Sequence, residues 1–498
     1  MAEGMVLYFS TGSEQAGAGQ NDIEGKGADG RTLKAAMTSP RIEEYRAILR
    51  CDPLLTAVTD RCLKVSDDPA DQMYLVLWAP ALVRYVMWVL HEAVRDGQKR
   101  LYFLSRDAYP MYLAARELVK YLNIDLEIRY LRVSRYSLRL PEYHLMGIKC
   151  LDRIFLSGID VSMYRILNRA GLTEAQMRDI CEEIGYDRPL HQNMNRREIC
   201  AWRDRVRSCC ENGTTSLLNK VYEISAAAYA NASGYLEQEG LLDNVRYAVV
   251  DSGWVGTIQK SIHRLLAAKK PDLTISGYYF GLYECPSGQS SGENGCVYKA
   301  YYFMPKGSVW RKSRFSNCLY EVMYSEPCSM VKGYESDHGI YRPMFSQIGS
   351  PNVEILQRNR DLLVIYIKTL IQELGAQQMT WREWMTPGSA AMIEKMYSKL
   401  MAAPNRWEAA YYGSQQFSDD VSDAHMRCIA NRLSQREIKD LRSMSKLMIA
   451  LGWSHRVIHE SGWIEGTIVN AGQHIRSNLR AARRAKYLTH LRQSLRAE

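Results

Sequence analysis

VVDSGWVGTIQKSIHRLL (Val249–Leu266) is the stretch on which the fold turns. Its opening hydrophobic run, extended back to Arg246 (RYAVVD), predicts a buried strand ending on Asp251. Gly253 and Gly256 permit a tight turn over Ser252–Gly256, and Thr257 stands where a helix cap would be. Apolar residues then recur at helical spacing to Ala268, and LTISGYYFGL (Leu273–Leu282) follows as a further strand. Upstream, the strand Arg100–Ser105 (RLYFLS), the turn Arg106–Asp107, the helix Tyr109–Leu122 and the strand Asp125–Val133 (DLEIRYLRV) repeat that logic. Two such units predict an α/β fold, a Rossmann-like, mostly parallel sheet with a helical insertion and a C-terminal helical region.

Around this centre the chain divides by composition. Residues 1–38, rich in Gly, Ser, Gln and Asp without an apolar period, are expected to form a mobile leader. Residues 39–345 make the α/β domain, with the insertion at about 151–240 punctuated by Gly158, Gly171 and Gly185. Glu284–Val297 (ECPSGQSSGENGCV) reads as a surface loop, and Tyr298–Phe303 and Gly339–Phe345 as strands. Residues 346–498 read as helical, with breaks near Pro387, Pro404 and Gly462, and end in a basic tail, NLRAARRAKYLTHLRQSLRAE (Asn478–Glu498). The plain reading of that tail is a solvated helix end; anionic lipid or nucleic acid is the alternative.

The composition, 46% hydrophobic and 24% charged, is that of a globular protein, and a net charge of +9 over 498 residues makes nucleic acid an unlikely partner. Twelve cysteines without a CxxC pair argue against a zinc module and for reduced thiols in a cytoplasmic protein. MYLVLWAPALVRYVMWVL (Met73–Leu90) approaches bilayer length, but Pro80 and Arg84 in its middle predict a helix buried in protein.

In an open parallel sheet, ligands settle beyond the carboxyl ends of the strands, where the helices begin. Both turns lie at such ends. Free N–H groups at the Gly256–Thr257 helix start suit a phosphate, with Ser252 and Gly253 in the same turn. Asp251 suits a sugar hydroxyl, a metal or a proton in transit. Ser105, Arg106 and Asp107 offer a hydroxyl, an anion grip and a carboxylate, against the plain reading of an Arg–Asp pair fixing a loop. VSRYSLRLP (Val133–Pro141) adds Ser134, Arg135 and Arg139, and three arginines near strand ends point to an anion pocket. A haloacid-dehalogenase-type phosphatase needs a second acid two residues after its nucleophilic Asp, and Gly253 occupies that place. A phosphoribosyltransferase-type loop is similar at Asp251 and Gly256–Thr257, but Ser252 replaces its second acid. His455 and His459 lie four apart without an evident third ligand, so no protein metal site is assigned; a divalent metal such as Mg remains open as cofactor.

Taken in order, WAPALVRYVMWVLHEA, LYFLSRDAYPM, YLRVSRYSLRLP, VVDSGWVGTIQ, ISGYYFGLY and NCLYEVMYSEPCSMVKGY resemble one bacterial family. They are similar to the C-terminal region of large proteins catalogued as predicted hydrolases of the haloacid dehalogenase superfamily. These are often encoded among genes for capsule, O-antigen or other surface polysaccharide. The resemblance covers about residues 70–345, with Ala108 where the pattern usually has Gly and Cys328 where it often has His. In those proteins the hydrolase label belongs to an N-terminal phosphatase-like domain, which the first 70 residues here are too short to hold. The resemblance implies an enzyme, transferase or hydrolase, handling a phosphorylated or nucleotide-activated sugar. Asp251, Asp107 and Glu321 would be its catalytic carboxylates, with Ser105, Arg106, Arg135, Ser252, Gly253, Gly256 and Thr257 binding phosphate or substrate. The alternatives are a non-catalytic sugar-phosphate-binding or docking module, with polysaccharide assembly enzymes or the inner membrane face as partners, and a phosphoribosyltransferase-like enzyme.

Overall fold

Pro80 decides how the chain enters its core. In the computed structural model, which describes residues 39–156, 161–285, 295–347, 349–350, 352–378, 380, 389–417, 427–430 and 461–496, a widened π turn at Tyr74–Trp78 leads into the helix Ala79–Arg95. A proline has no N–H to donate and its ring crowds the carbonyl four residues back; the wider turn absorbs both problems without ending the helix. The apolar segment expected to be buried is buried: 94% of the most hydrophobic window of Pro69–Arg95 lies inside the protein. Arg84 is buried with it and forms an ion pair with Asp52, its Nε donating to Oδ2 at 2.6 Å. Asp52 also caps the helix Pro53–Cys62 by accepting from the Leu55 N–H.

Gly97, in the left-handed region at φ 66°, turns the chain out of the helix and into the sheet. Five strands, β1 (Arg100–Leu104), β2 (Glu127–Leu131), β3 (Tyr247–Trp254), β4 (Ile275–Leu282) and β5 (Cys296–Phe303), pair in the order β2-β1-β3-β4-β5, all parallel. The runs are hydrophobic throughout because both faces are covered. Leu101, Phe103, Ala248 and Val250 face the core built on Ala79–Arg95, while Tyr102, Leu104, Tyr247 and Val249 face Ile262 and Leu265 of the helix Thr257–Ala267. The chain is thus α/β. The strand order reverses between β1 and β3.

Three details differ from the sequence reading. β3 does not end on Asp251 but continues to Trp254, because Gly253 pairs with Gly281 and Trp254 with Leu282. The turn shrinks to Val255–Gly256; Gly256 (φ 65°) takes the cap position and Thr257 is the first helical residue. Beyond the sheet, Ile340–Phe345 pairs with Val331–Asp337 in a separate antiparallel hairpin, closed by His338 and Gly339, both at positive φ.

The segment around 151–240 carries its own apolar cluster, shared by the helices Met163–Asn168, Glu174–Ile184, Arg196–Glu211 and the start of Leu217–Gln238. The C-terminal helices Val353–Ala376, Ser389–Ala402, Arg406–Gly413, Ile464–Ala471 and Ile475–Arg496 are joined by a two-residue strand pair, Gln416–Phe417 with Arg427–Cys428, that no pattern announced. All twelve cysteines are free thiols. The leader at 1–38, the His455 and His459 pair, the break at Pro387 and most of the loop at 284–297 lie outside the described residues.

Removing one member of the Arg84–Asp52 pair strands a buried charge. Asp52→Ala or Arg84→Met alone should each cost about 3–5 kcal/mol in equilibrium denaturation. The double variant should recover a large part of that loss; full additivity of the two losses would show that the pair is not coupled.

Candidate functional site

The reversal of strand order sets the C-terminal ends of β1 and β3 side by side, and each delivers an aspartate. Asp251, near the tip of β3, is only 7% exposed and accepts a hydrogen bond from the Ser252 N–H at 2.9 Å. Burial pushes its carboxyl well above the usual range, and the charges of Asp107 and Glu321 push the same way; the Ser252 N–H and Arg135 oppose them. Asp107, just past β1, accepts from Ser325 Oγ at 3.3 Å. Its pKa is raised by burial, against the lowering pull of Arg106 and Arg135. Glu321 comes from the helix Asn317–Tyr324, capped by Ser316, and accepts the Trp254 indole N–H. Asp107, Asp251 and Glu321 therefore share one electrostatic neighbourhood with Arg106 and Arg135.

Ser252, next to Asp251 in sequence, links the two aspartates in effect. Its Oγ is fully buried against the Asp107 carboxylate, short of a well-formed hydrogen bond. Ser105 has another job: its Oγ donates to the Val133 carbonyl at 2.6 Å and accepts the Val133 N–H at 2.9 Å, fastening the exit of β1 to that of β2. Ser134 is likewise structural, capping the helix Arg135–Met146 in a reciprocal pair with Ser137.

The helix start carries the positive side. Arg139 donates to Thr257 Oγ1 at 3.5 Å and makes no ion pair among the described residues. Burial, then the neighbouring Arg135 and Arg153 charges, lower its pKa to about 10. Lys260, one turn into the helix, is lowered by burial and by Arg264 and Arg153. Cations crowded in this way favour an anion.

Gly253 holds these parts in register. At φ 134°, any Cβ there would lie 2.0 Å from the Gly281 carbonyl oxygen, so no side chain fits. The Ser105–Arg106 and Gly253–Trp254 peptide bonds are both cis.

Several participants were not foreseen from sequence: Ser325, Arg153, and Tyr85, whose hydroxyl donates to the carbonyls of Asp251 and Tyr278, both at 3.0 Å. Each reaches the site from a distant segment; Tyr85 and Ser325 stand in two of the ordered motifs, but nothing in those motifs singles them out, and Arg153 stands in none. Among the described residues, no group of three or more His, Cys, Asp or Glu side chains is arranged to hold a metal ion. A cavity of about 450 Å³ opens beyond β4, lined by Tyr283, Phe315, Asn317, Cys318, Lys486 and His490 among others. Asn317 and Cys318 belong to the same helix as Glu321, so the cavity borders the element that carries that carboxylate. Comparison with protein-family models and with curated proteins finds no match for the chain.

The raised aspartate fixes a sign. A carboxyl with a folded pKa above its unfolded value, about 3.9, favours the fold below that value and loses this contribution as pH rises through the folded pKa. Asp251→Asn should therefore match wild type near pH 3–4 and become the more stable of the two as pH rises. Thermal midpoints across pH read this directly; a gap that opens towards acid instead would overturn the assignment.

Gly253→Ala should unfold the end of β3 and strongly lower the melting temperature. The control is Gly213→Ala, at φ 69° with open space around it, where only the left-handed cost of about 1–2 kcal/mol applies. Equal losses at the two positions would mean that the Gly253–Gly281 approach is not constraining.

Proposed function

We propose that this protein is an enzyme that handles a phosphorylated or nucleotide-activated sugar, as a transferase or hydrolase, in bacterial capsule, O-antigen or other surface-polysaccharide biosynthesis. One observation carries the reading: at the reversal of strand order, Asp107, Glu321 and Arg135 all act electrostatically on the buried Asp251. That is where a doubly wound sheet has its crevice, and it supports treating the fold as Rossmann-like in use as well as in outline.

The division of labour follows from the chemistry of the groups. Asp251, biased towards its protonated form by burial and by Asp107, is the acid that protonates a leaving oxygen. Asp107, where burial raises the carboxyl and Arg106 and Arg135 pull against that rise, is the base or the partner of a sugar hydroxyl, and Glu321 the third carboxylate. Both carboxyls are raised, Asp251 well above its ordinary range, and an acid so held in its protonated form suits acid–base work. The phosphate belongs at the Gly256–Thr257 helix start, with Arg135 and Arg139 at its flank. A divalent metal such as Mg, where the reaction uses one, would enter with the phosphate. The ordered motif resemblance supplies the polysaccharide context, and twelve cysteines without a CxxC pair support a cytoplasmic location.

A thermal-shift screen of nucleotide sugars, sugar phosphates and phosphoribosyl pyrophosphate tests the reading. A specific ligand at about 100 times its Kd stabilises by about 2.7 kcal/mol. With that ligand, Asp251→Asn should keep binding and lose turnover. Turnover retained by the variant sinks the catalytic assignment; binding without turnover in wild type indicates a docking module instead.

A further inference from the structure

We propose that the outward face of the C-terminal helix, Ile475–Arg496, is a docking surface for an anionic lipid bilayer. The basic tail is not a loose end. Leu479 and Ala482 pack with Ala409, Ile468 and Val469. Lys486 Nζ donates to both carboxylate oxygens of the buried Glu465, at 2.9 and 3.1 Å. His490 stacks on Tyr283 with ring centroids 5.2 Å apart, and Ser494 Oγ accepts the Gly307 N–H. An α-helix turns about 100° per residue, so these anchors define one inward side.

The opposite side has an unusual mixture. Arg480, Arg484, Tyr487, Leu488 and Leu495 fall together there, all exposed. Leu488 is 49% and Leu495 61% exposed, and Trp310, on the short helix Val309–Lys312 packed against this one, is 53% exposed. These are among the few large apolar side chains so open to solvent in the described residues. Along the whole helix stand seven Arg or Lys and no Asp or Glu.

An outward face needed only for solubility would carry mixed charges and few large apolar groups. An acidic protein or nucleic acid would satisfy the cations and leave the leucines and the indole in water. A bilayer surface with anionic headgroups satisfies both at once: cations at headgroup level, Leu, Tyr and Trp at the acyl boundary. Because the inward side of this helix rests on Tyr283, directly after β4, docking would bring the carboxyl end of the sheet towards the membrane. The surface stands independently of the chemistry proposed above.

Co-flotation of the full chain with vesicles tests it. Binding is expected to phosphatidylglycerol–phosphatidylcholine vesicles and not to pure phosphatidylcholine. Leu488→Glu with Leu495→Glu should abolish it while leaving the melting temperature unchanged, since both side chains are exposed. Arg480→Gln with Arg484→Gln should weaken it by about tenfold or more. Failure to bind anionic vesicles overturns the proposal. So does binding that ignores the two leucines.

Discussion

Burying the helix that runs from Tyr74 to Arg95 is the constraint on which the rest of the structure depends. A helix so apolar must be covered on every side, and the sheet, the early helices and the C-terminal helices all contribute to its cover. Its polar residues then have no water to turn to. Arg84 takes Asp52, which fixes the start of the preceding helical pair. The Tyr85 hydroxyl takes the carbonyls of Asp251 and Tyr278, tying the helix to the two central strands near their functional ends. The helix thus supports the strand tips from beneath, and the position of the aspartates follows from the packing of the core.

The same burial makes the site costly. Two aspartates with raised pKa values at adjacent strand ends oppose folding whenever they ionise, and the nearby arginines only partly offset this. On the positive side, Arg139 is half-buried near two other arginines and makes no ion pair among the described residues. Neither half is arranged as stability alone would favour. Local conflict of this kind, between the needs of the fold and the groups retained, is what a working site produces.

Much of the architecture was legible because a strand buried on both faces leaves an unbroken hydrophobic run, as in RLYFL and YAVV, followed by helical spacing. The end of β3 was misread for a physical reason. Glycine marks turns when judged by local preference, yet Gly253 stays in the strand because Gly281 on the neighbouring strand demands a residue without a side chain. Ser105 looked like a ligand group since hydroxyls bind substrates, but its proton goes to the Val133 carbonyl and its oxygen accepts the Val133 N–H. Ser325, Arg153 and Tyr85 were hidden because long-range contacts leave no mark on neighbouring residues. Asp107, Asp251 and Glu321 were nameable individually, while their mutual influence belongs to the fold.

The Asp107–Asp251 pair has a consequence for the heat of any reaction or binding event at this site. A carboxyl kept above its ordinary range by burial and a like charge holds its proton only as long as those surroundings last. A ligand that brings a cation beside it releases that proton to the buffer, and one that brings a phosphate draws protons in. Calorimetric enthalpies at this site will therefore vary with the ionisation enthalpy of the buffer. The slope of that variation counts the protons exchanged, so the protonation change can be measured before any product is identified.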